Sequence, residues 1–263
     1  MKYGKPIFTE KPLAGSIAQG EKLLKALAAS GTWHMVGYHK RSDPATRYAK
    51  AEIDRLKASG ELGQMKYVRL LMPAGDWIAS GFNDNLNGGA GPPPPNDPPA
   101  PDMDKPTNDA YISFVNYYIH QVNLLRFLRG EPYQATYVDP GSVVLIGRSQ
   151  SGVTCNIEMS PYQTTVDWQE SALVCFEKGW VKVELPAPLA YNRPGKVTIY
   201  KDPGAGATPM LYSLELPWIH AMRQQALNFI AAIQDQANPP CEAAEAMEDL
   251  KVARDFIRLL HGK

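Results

Sequence analysis

Three polar side chains spaced along a mostly apolar and aromatic run are the residues best placed to do chemistry. In the stretch 116–128, NYYIHQVNLLRFL, Asn116, His120 and Asn123 stand at i, i+4 and i+7, so a helix carries them on one face. Their neighbours Val115, Ile119, Val122, Leu124, Leu125, Phe127 and Leu128 are apolar, and a helix apolar on most sides is a buried helix. A polar stripe there must be hydrogen-bonded, must face a cavity, or costs stability. One reading is a core histidine satisfied by two amides. The other is a proton-handling histidine at the floor of a pocket, a role its near-neutral pKa suits.

The elements that must hold such a helix are legible on both sides of it. Ile7–Thr9 reads as a short strand running into Glu10-Lys11-Pro12. Ser16 to Gln19 is a capping box that opens a helix with Leu23, Leu24 and Leu27 on one face, and Gly31 stops it. Trp33–Tyr38 reads as a second strand. Such a β-α-β unit makes parallel sheets, but two strands are too few for an independent sheet. Asp43-Pro44 caps a helix that runs to Ser59, followed by a strand over Met65–Met72. Residues 81–106, rich in proline and glycine, are expected to be a polyproline-like surface loop or lid. The central helix follows, with Asp109 as its expected cap and Gly130 as its stop.

Beyond it, Val143–Ile146, Val153–Met159, Ala172–Glu177, Trp180–Leu185, Val197–Tyr200 and Met210–Leu216 alternate or run rich in β-formers. Lys178-Gly179 is the expected hairpin turn. Two helices, over Trp218–Gln234 and Cys241–Leu260, close the chain. The fold class expected is therefore α+β: one large, open, mostly antiparallel sheet with helices on one face, over residues 46–263.

The bulk numbers narrow the function. The 263 residues are 44% apolar and 21% charged with zero formal net charge, which gives no pull towards nucleic acid or an acidic membrane surface. Three scattered cysteines, Cys155, Cys175 and Cys241, suggest neither a disulfide framework nor a metal site. No signal peptide and no membrane-spanning run is evident, so cytoplasm is the expected compartment. There is no GxGxxG between a strand and a helix, no P-loop, no GxSxG and no HExxH. His34, His220 and His261 have no supporting context and read as structural or exposed. Trp168 and Trp180 read as core or interface.

Taken together the segments resemble the glucose–fructose oxidoreductase / inositol dehydrogenase / rhizopine-catabolism (Gfo/Idh/MocA) oxidoreductases. Glu10-Lys11-Pro12 resembles that family's EKP motif. Gly37-Tyr38-His39-Lys40-Arg41-Ser42-Asp43-Pro44 resembles its G-aromatic-x-R-R-x-D-P segment. Glu61-Leu62-Gly63 resembles the entry to its second domain, and Asn116, His120 and Asn123 match its D-x-x-x-H-x-x-D pattern by spacing. Two departures stand out. Both acids flanking the histidine are Asn, and only nine residues precede Glu10, where the family carries most of a Rossmann domain.

The resemblance implies that residues 1–45 are the end of a dinucleotide-binding domain and 46–263 a substrate and oligomerisation domain. It implies hydride transfer between NAD or NADP and a hydroxyl-bearing carbon of a sugar or cyclitol. Lys11 and His120 would be catalytic, Lys11 stabilising negative charge on the reacting oxygen and His120 taking its proton. Asn116, Asn123, Tyr38, His39 and Arg41 would bind substrate. Glu10 and Pro12 would lie by the cofactor, Pro12 fixing the turn that presents Lys11. The partners expected are a sugar-like small molecule, further copies of the chain through the open sheet, and a separate Rossmann chain. The alternatives are a non-catalytic carbohydrate-binding or oligomerisation protein, or glycoside cleavage through transient oxidation.

Overall fold

The computed structural model describes residues 3–79, 89, 91, 103–204 and 206–262. It opens with a parallel β-α-β unit of β1 (Ile7–Glu10), α1 (Ile17–Ala28) and β2 (His34–Gly37). The Ser16 hydroxyl caps α1 by accepting from the Gln19 N–H. β2 is buried along its length, and the Val36 N–H donates to the Cys241 carbonyl at 2.9 Å. β1 is exposed from Phe8 to Glu10, and among the described residues it pairs with β2 alone. A single 3-10 turn, His39–Ser42, leads into α2 (Pro44–Ser59). Asp43 caps α2 through the Ala45 N–H at 2.8 Å and also accepts from the Gly195 N–H at 3.0 Å. It thereby ties the start of the helix to a loop 152 residues away.

The rest is one eight-stranded sheet with the order β10-β9-β8-β7-β3-β6-β5-β4. Its strands are β3 (Met65–Ala74), β4 (Tyr133–Val138), β5 (Val144–Ser149), β6 (Thr154–Gln163), β7 (Glu170–Phe176), β8 (Gly179–Leu185), β9 (Lys196–Lys201) and β10 (Met210–Ser213). Every pairing is antiparallel except β3 with β6. Val68, Leu70, Ile157, Ala172, Val174, Val181 and Val183 are buried, while the residues between them on the same strands form a half-exposed face. That alternation is what a sheet covered on one side requires. The covering helices are α2, α3 (Lys105–Arg129) and α5 (Ala243–His261), with α4 (Ala221–Ile233) packed on the 3-10 turn. α3 is the spine: Phe114 stacks on Phe256 of α5 with ring centroids 4.0 Å apart.

The α+β class is as expected, with four local differences. The sheet incorporates β3 and the unforeseen β4, whose Tyr133-Gln134-Ala135-Thr136 follows so closely on Gly130 and Pro132 that it resembles a loop. The cap of α3 is Asp104, not Asp109: the Asp104 carboxylate accepts from the Thr107 N–H at 2.9 Å. Pro106 is no obstacle there, because the first-turn N–H groups have no intrahelical partner. Residues 104–106 thus belong to the helix start and not to a loop, while 80–88, 90 and 92–102 of that segment lie outside the described residues. Finally, the β7–β8 turn is Glu177-Lys178, with Gly179 already paired to Phe176. Gly179 is required for packing, since a Cβ there would sit 2.2 Å from the Tyr200 carbonyl oxygen. Asp104→Ala is expected to destabilise the fold by about 1 kcal/mol, read as a lower midpoint in chemical denaturation.

Candidate active site

The residue after β1 reaches α3 with its side chain, which sets the two expected catalytic groups near one another. Lys11, the first residue after β1, donates from Nζ to the backbone carbonyl of Asn116, one helical turn before His120. Pro12 follows Lys11 half-buried, through a cis peptide. Burial depresses the Lys11 pKa; the Glu10 charge opposes this and the Lys40 charge adds to it. Glu10 itself points to α4, where its carboxylate accepts from Gln225 Nε2 at 3.3 Å.

His120 lies against two rings from the segment after β2. His39 meets it edge-on with centroids 4.5 Å apart, and Tyr38 does so at 5.9 Å. Nδ1 of His39 and Nδ1 of His120 are both sealed from solvent without a hydrogen-bond partner. Burial holds the His120 pKa well below its ordinary value, and the nearby His39, Lys40 and Lys11 push it the same way. His39 is depressed for the same first reason, with Lys40 and Lys11 contributing. Burial raises the Tyr38 pKa, with the Asp249 carboxylate adding to it.

Three of the expected substrate contacts are differently employed. Asn116 offers its backbone carbonyl while its side chain is exposed. Asn123 and Arg41 are buried in a network that joins the 3-10 turn, α3 and α5. Asn123 accepts from Arg41 Nε at 2.6 Å and donates to Asp249 at 2.6 Å. Arg41 also donates to the Pro240 carbonyl at 2.9 Å, pairs with Glu245 at 2.7 Å and lies over the Phe127 ring. Arg126 completes the network with Asp249 at 2.9 and 3.1 Å and with Glu245 at 2.8 Å. At i+3 from His120, Asn123 is held between the Asp249 carboxylate of α5 and the Arg41 guanidinium of the 3-10 turn.

No motif pointed to the group that borders the site on its sheet side. Lys40 forms a buried ion pair with Glu170 at 2.5 Å. Glu170 also accepts from Gln121 Nε2 at 2.8 Å and Trp168 Nε1 at 3.3 Å. The pair spans 130 residues, so no local spacing could have shown it; the one available signal was a second basic residue beside Arg41. Trp168 and Glu170 line an open cavity of about 700 Å³ that Arg193, Lys182 and Lys196 share. His34, as expected, is structural: its Nε2 bonds to Thr9 Oγ1 at 2.9 Å.

A redox cofactor can be tested against these residues. An amine and a neutral imidazole side by side suit the reacting, nicotinamide end of a dinucleotide and a hydroxyl-bearing substrate. Among the described residues, no strand passes through a glycine-rich turn into a helix N-terminus; the β1–α1 link is Lys11-Pro12-Leu13-Ala14-Gly15-Ser16. The pyrophosphate cradle is thus not built from them. No group of three or more metal-ligating side chains is found among the described residues, and no helix there is long and apolar enough to cross a membrane.

The paired imidazoles make stability depend on pH. An unfolded histidine takes a proton near pH 6.5, whereas these two do so only well below it. As pH falls through that window the unfolded state binds more protons, so stability present above it is lost below it. The urea midpoint is expected to fall between about pH 7.5 and about pH 5.5, and His39→Phe/His120→Phe should flatten that slope.

No protein-family model and no curated protein matches the sequence. Solved structures do match in fold. One is a proposed myo-inositol dehydrogenase from Sinorhizobium meliloti 1021, with a TM-score of 0.63 and 22% identity over 99% of this chain and 73% of that one. A second is aldose-aldose oxidoreductase from Caulobacter crescentus complexed with glycerol, with a TM-score of 0.61 and 20% identity over 99% and 71%. A third is the WlbA dehydrogenase from Bordetella pertussis in complex with NADH and UDP-GlcNAcA, with a TM-score of 0.61 and 17% identity over 99% and 70%.

Proposed function

From a chain that has the fold of the Gfo/Idh/MocA oxidoreductases, we propose the substrate-binding part of an NAD(P)-dependent oxidoreductase acting on a sugar or cyclitol hydroxyl. The observation that carries this reading is the Lys11 ammonium bonded to the Asn116 carbonyl of α3, one helical turn before His120. Residues 1–45 form the edge at which a nucleotide-binding half, on this or another chain, continues the parallel β1–β2 sheet. The exposed β1 edge supports that division.

In this reading the Lys11 ammonium exchanges its Asn116 carbonyl for the reacting oxygen and stabilises the negative charge that develops on it. His120, kept neutral by its surroundings, accepts the hydroxyl proton. A bound nicotinamide would supply the hydride acceptor for the carbon that bears this hydroxyl. Lys40–Glu170 and Trp168 border the space left for the rest of the polyol. The half-exposed face of the large sheet, where Trp180 and Tyr200 stack at 5.9 Å, is assigned to a second copy of the chain.

The test is a titration of myo-inositol and glucose into the chain labelled at histidine, followed by NMR. The ring signals of His120 should shift saturably, and Lys11→Ala should weaken the binding. Shifts confined to residues far from His120 would refute the assignment. The Asn residues at 116 and 123 favour the second reading, a carbohydrate-binding protein without redox activity, because neither supplies the charge that would stabilise a histidinium. Polyol binding at His120 without hydride transfer in a completed enzyme would select it.

A further inference from the structure

Taking a proton from a substrate is half of a base's task; the proton must then leave. Once polyol and nicotinamide fill the cleft, the cleft side of His120 is closed. The usual acceptor beside such a base, a carboxylate, is replaced by Asn116, whose side chain points to solvent. The ring in contact with His120 is His39, with centroids 4.5 Å apart and ring planes at 70°. Rotation about the broad χ2 of either histidine brings a nitrogen of one towards the other.

His39 has a second side. It lines a small cavity of about 10 Å³ together with Lys40, Asp43, Arg193 and His220, a size that admits about one water molecule. This cavity shares Leu185, Pro186, Ala187, Ala190 and Arg193 with the open 700 Å³ cavity beside Trp168. His39 thus stands between His120 on one side and the small cavity on the other. Packing alone gives little reason for two adjacent imidazoles, His39 buried and His120 half-buried, each with a sealed and unpartnered Nδ1.

We propose that His39 is a proton relay that carries the proton taken by His120 to solvent through the small cavity. The inference rests on the proposed role of His120. The substrate hydroxyl gives its proton to His120 as its carbon is oxidised, the hydride acceptor being the nicotinamide that the completed enzyme would hold. The proton passes from His120 to His39, His39 returns to neutral by giving it to cavity water, and the pair is ready for the next turnover. His39 does not touch the substrate; it acts through His120. The charged and titratable groups around the pair are Lys11, Lys40, Asp43, Arg193 and His220. Lys11 and Lys40 disfavour a resting positive charge on either ring, so the proton does not linger.

The experiment uses the full chain with ¹⁵N-labelled histidine and saturating myo-inositol, which occupies the cleft side of His120. The exchange of the His120 ring proton with water is measured by saturation transfer across neutral pH. His39→Phe, which keeps an aromatic ring in place, should slow that exchange by about tenfold or more. His39→Ala with added imidazole should restore it. Exchange in His39→Phe equal to that of the unaltered chain, or no rescue by imidazole, would overturn the relay. If His39→Phe unfolds, as its amide spectrum would show, His39→Gln takes its place with the same expectation. Loss of polyol binding at His120 would instead strike the proposed function, and the exchange result would be read separately.

Discussion

In an enzyme completed by a nucleotide-binding half, His120→Gln is expected to lower turnover on a polyol by roughly 10²–10⁴-fold, the range for removing a positioned acid–base group. Binding of the polyol should change far less. Gln keeps a hydrogen-bonding group of similar size but cannot take up a proton at neutral pH, which separates proton transfer from packing. Lys11→Met should also depress turnover strongly, because an oxygen developing negative charge would lose the ammonium donor presented by the residue after β1. The two losses should be less than additive, since both groups act on one oxygen. Steady-state kinetics of the single and double variants reads this directly. Full turnover in either single variant would remove that residue from the chemistry.

Asp249→Ala should produce the largest loss of stability. Asp249 is fully buried and accepts from Asn123 and twice from Arg126. Its carboxylate and that of Glu245 hold the Arg126 pKa above its ordinary value despite burial, which acts in the opposite direction. Removing one partner from such a pair leaves an uncompensated buried charge and costs roughly 3–5 kcal/mol. At roughly 2–4 °C per kcal/mol for a chain of this size, a thermal melt would register it plainly. The network ties the 3-10 turn that carries His39 to the helix that carries His120, so the same variant should also blur the ring signals of both histidines. A melt unchanged from the parent chain would show that the network contributes no net stability.

The architecture was legible because the sheet is covered on one side, so hydrophobic residues alternate along the strands, and because Asp43, Gly60 and Gly130 mark helix ends with unambiguous chemistry. The spacing of Asn116, His120 and Asn123 pointed to α3, Glu10-Lys11-Pro12 pointed to the loop after β1, and the fold brings Lys11 against α3. Spacing could not say what each side chain meets. Asn123 lies one turn from His120 but is drawn to Asp249, 126 residues on. Arg41 is adjacent in sequence to Lys40, yet one is spent on α5 and the other on β7. His39 was placed in the substrate cleft by its motif. Its contact with His120 and the small cavity behind it depend on a turn of 3-10 helix that only the fold specifies. Partners far apart in sequence leave no local trace.

Isotope transfer in a chimera decides most directly whether Lys11 and His120 serve hydride transfer. A nucleotide-binding half taken from an inositol-dehydrogenase-like structure of the same fold would be joined ahead of β1. The chimera would then be given NAD⁺ and myo-inositol deuterated at carbon. Deuterium should appear at the nicotinamide C4, and it should vanish in Lys11→Met and His120→Gln. A chimera that binds both ligands yet leaves the nicotinamide free of deuterium would contradict an enzymatic role and leave a carbohydrate-binding protein in its place.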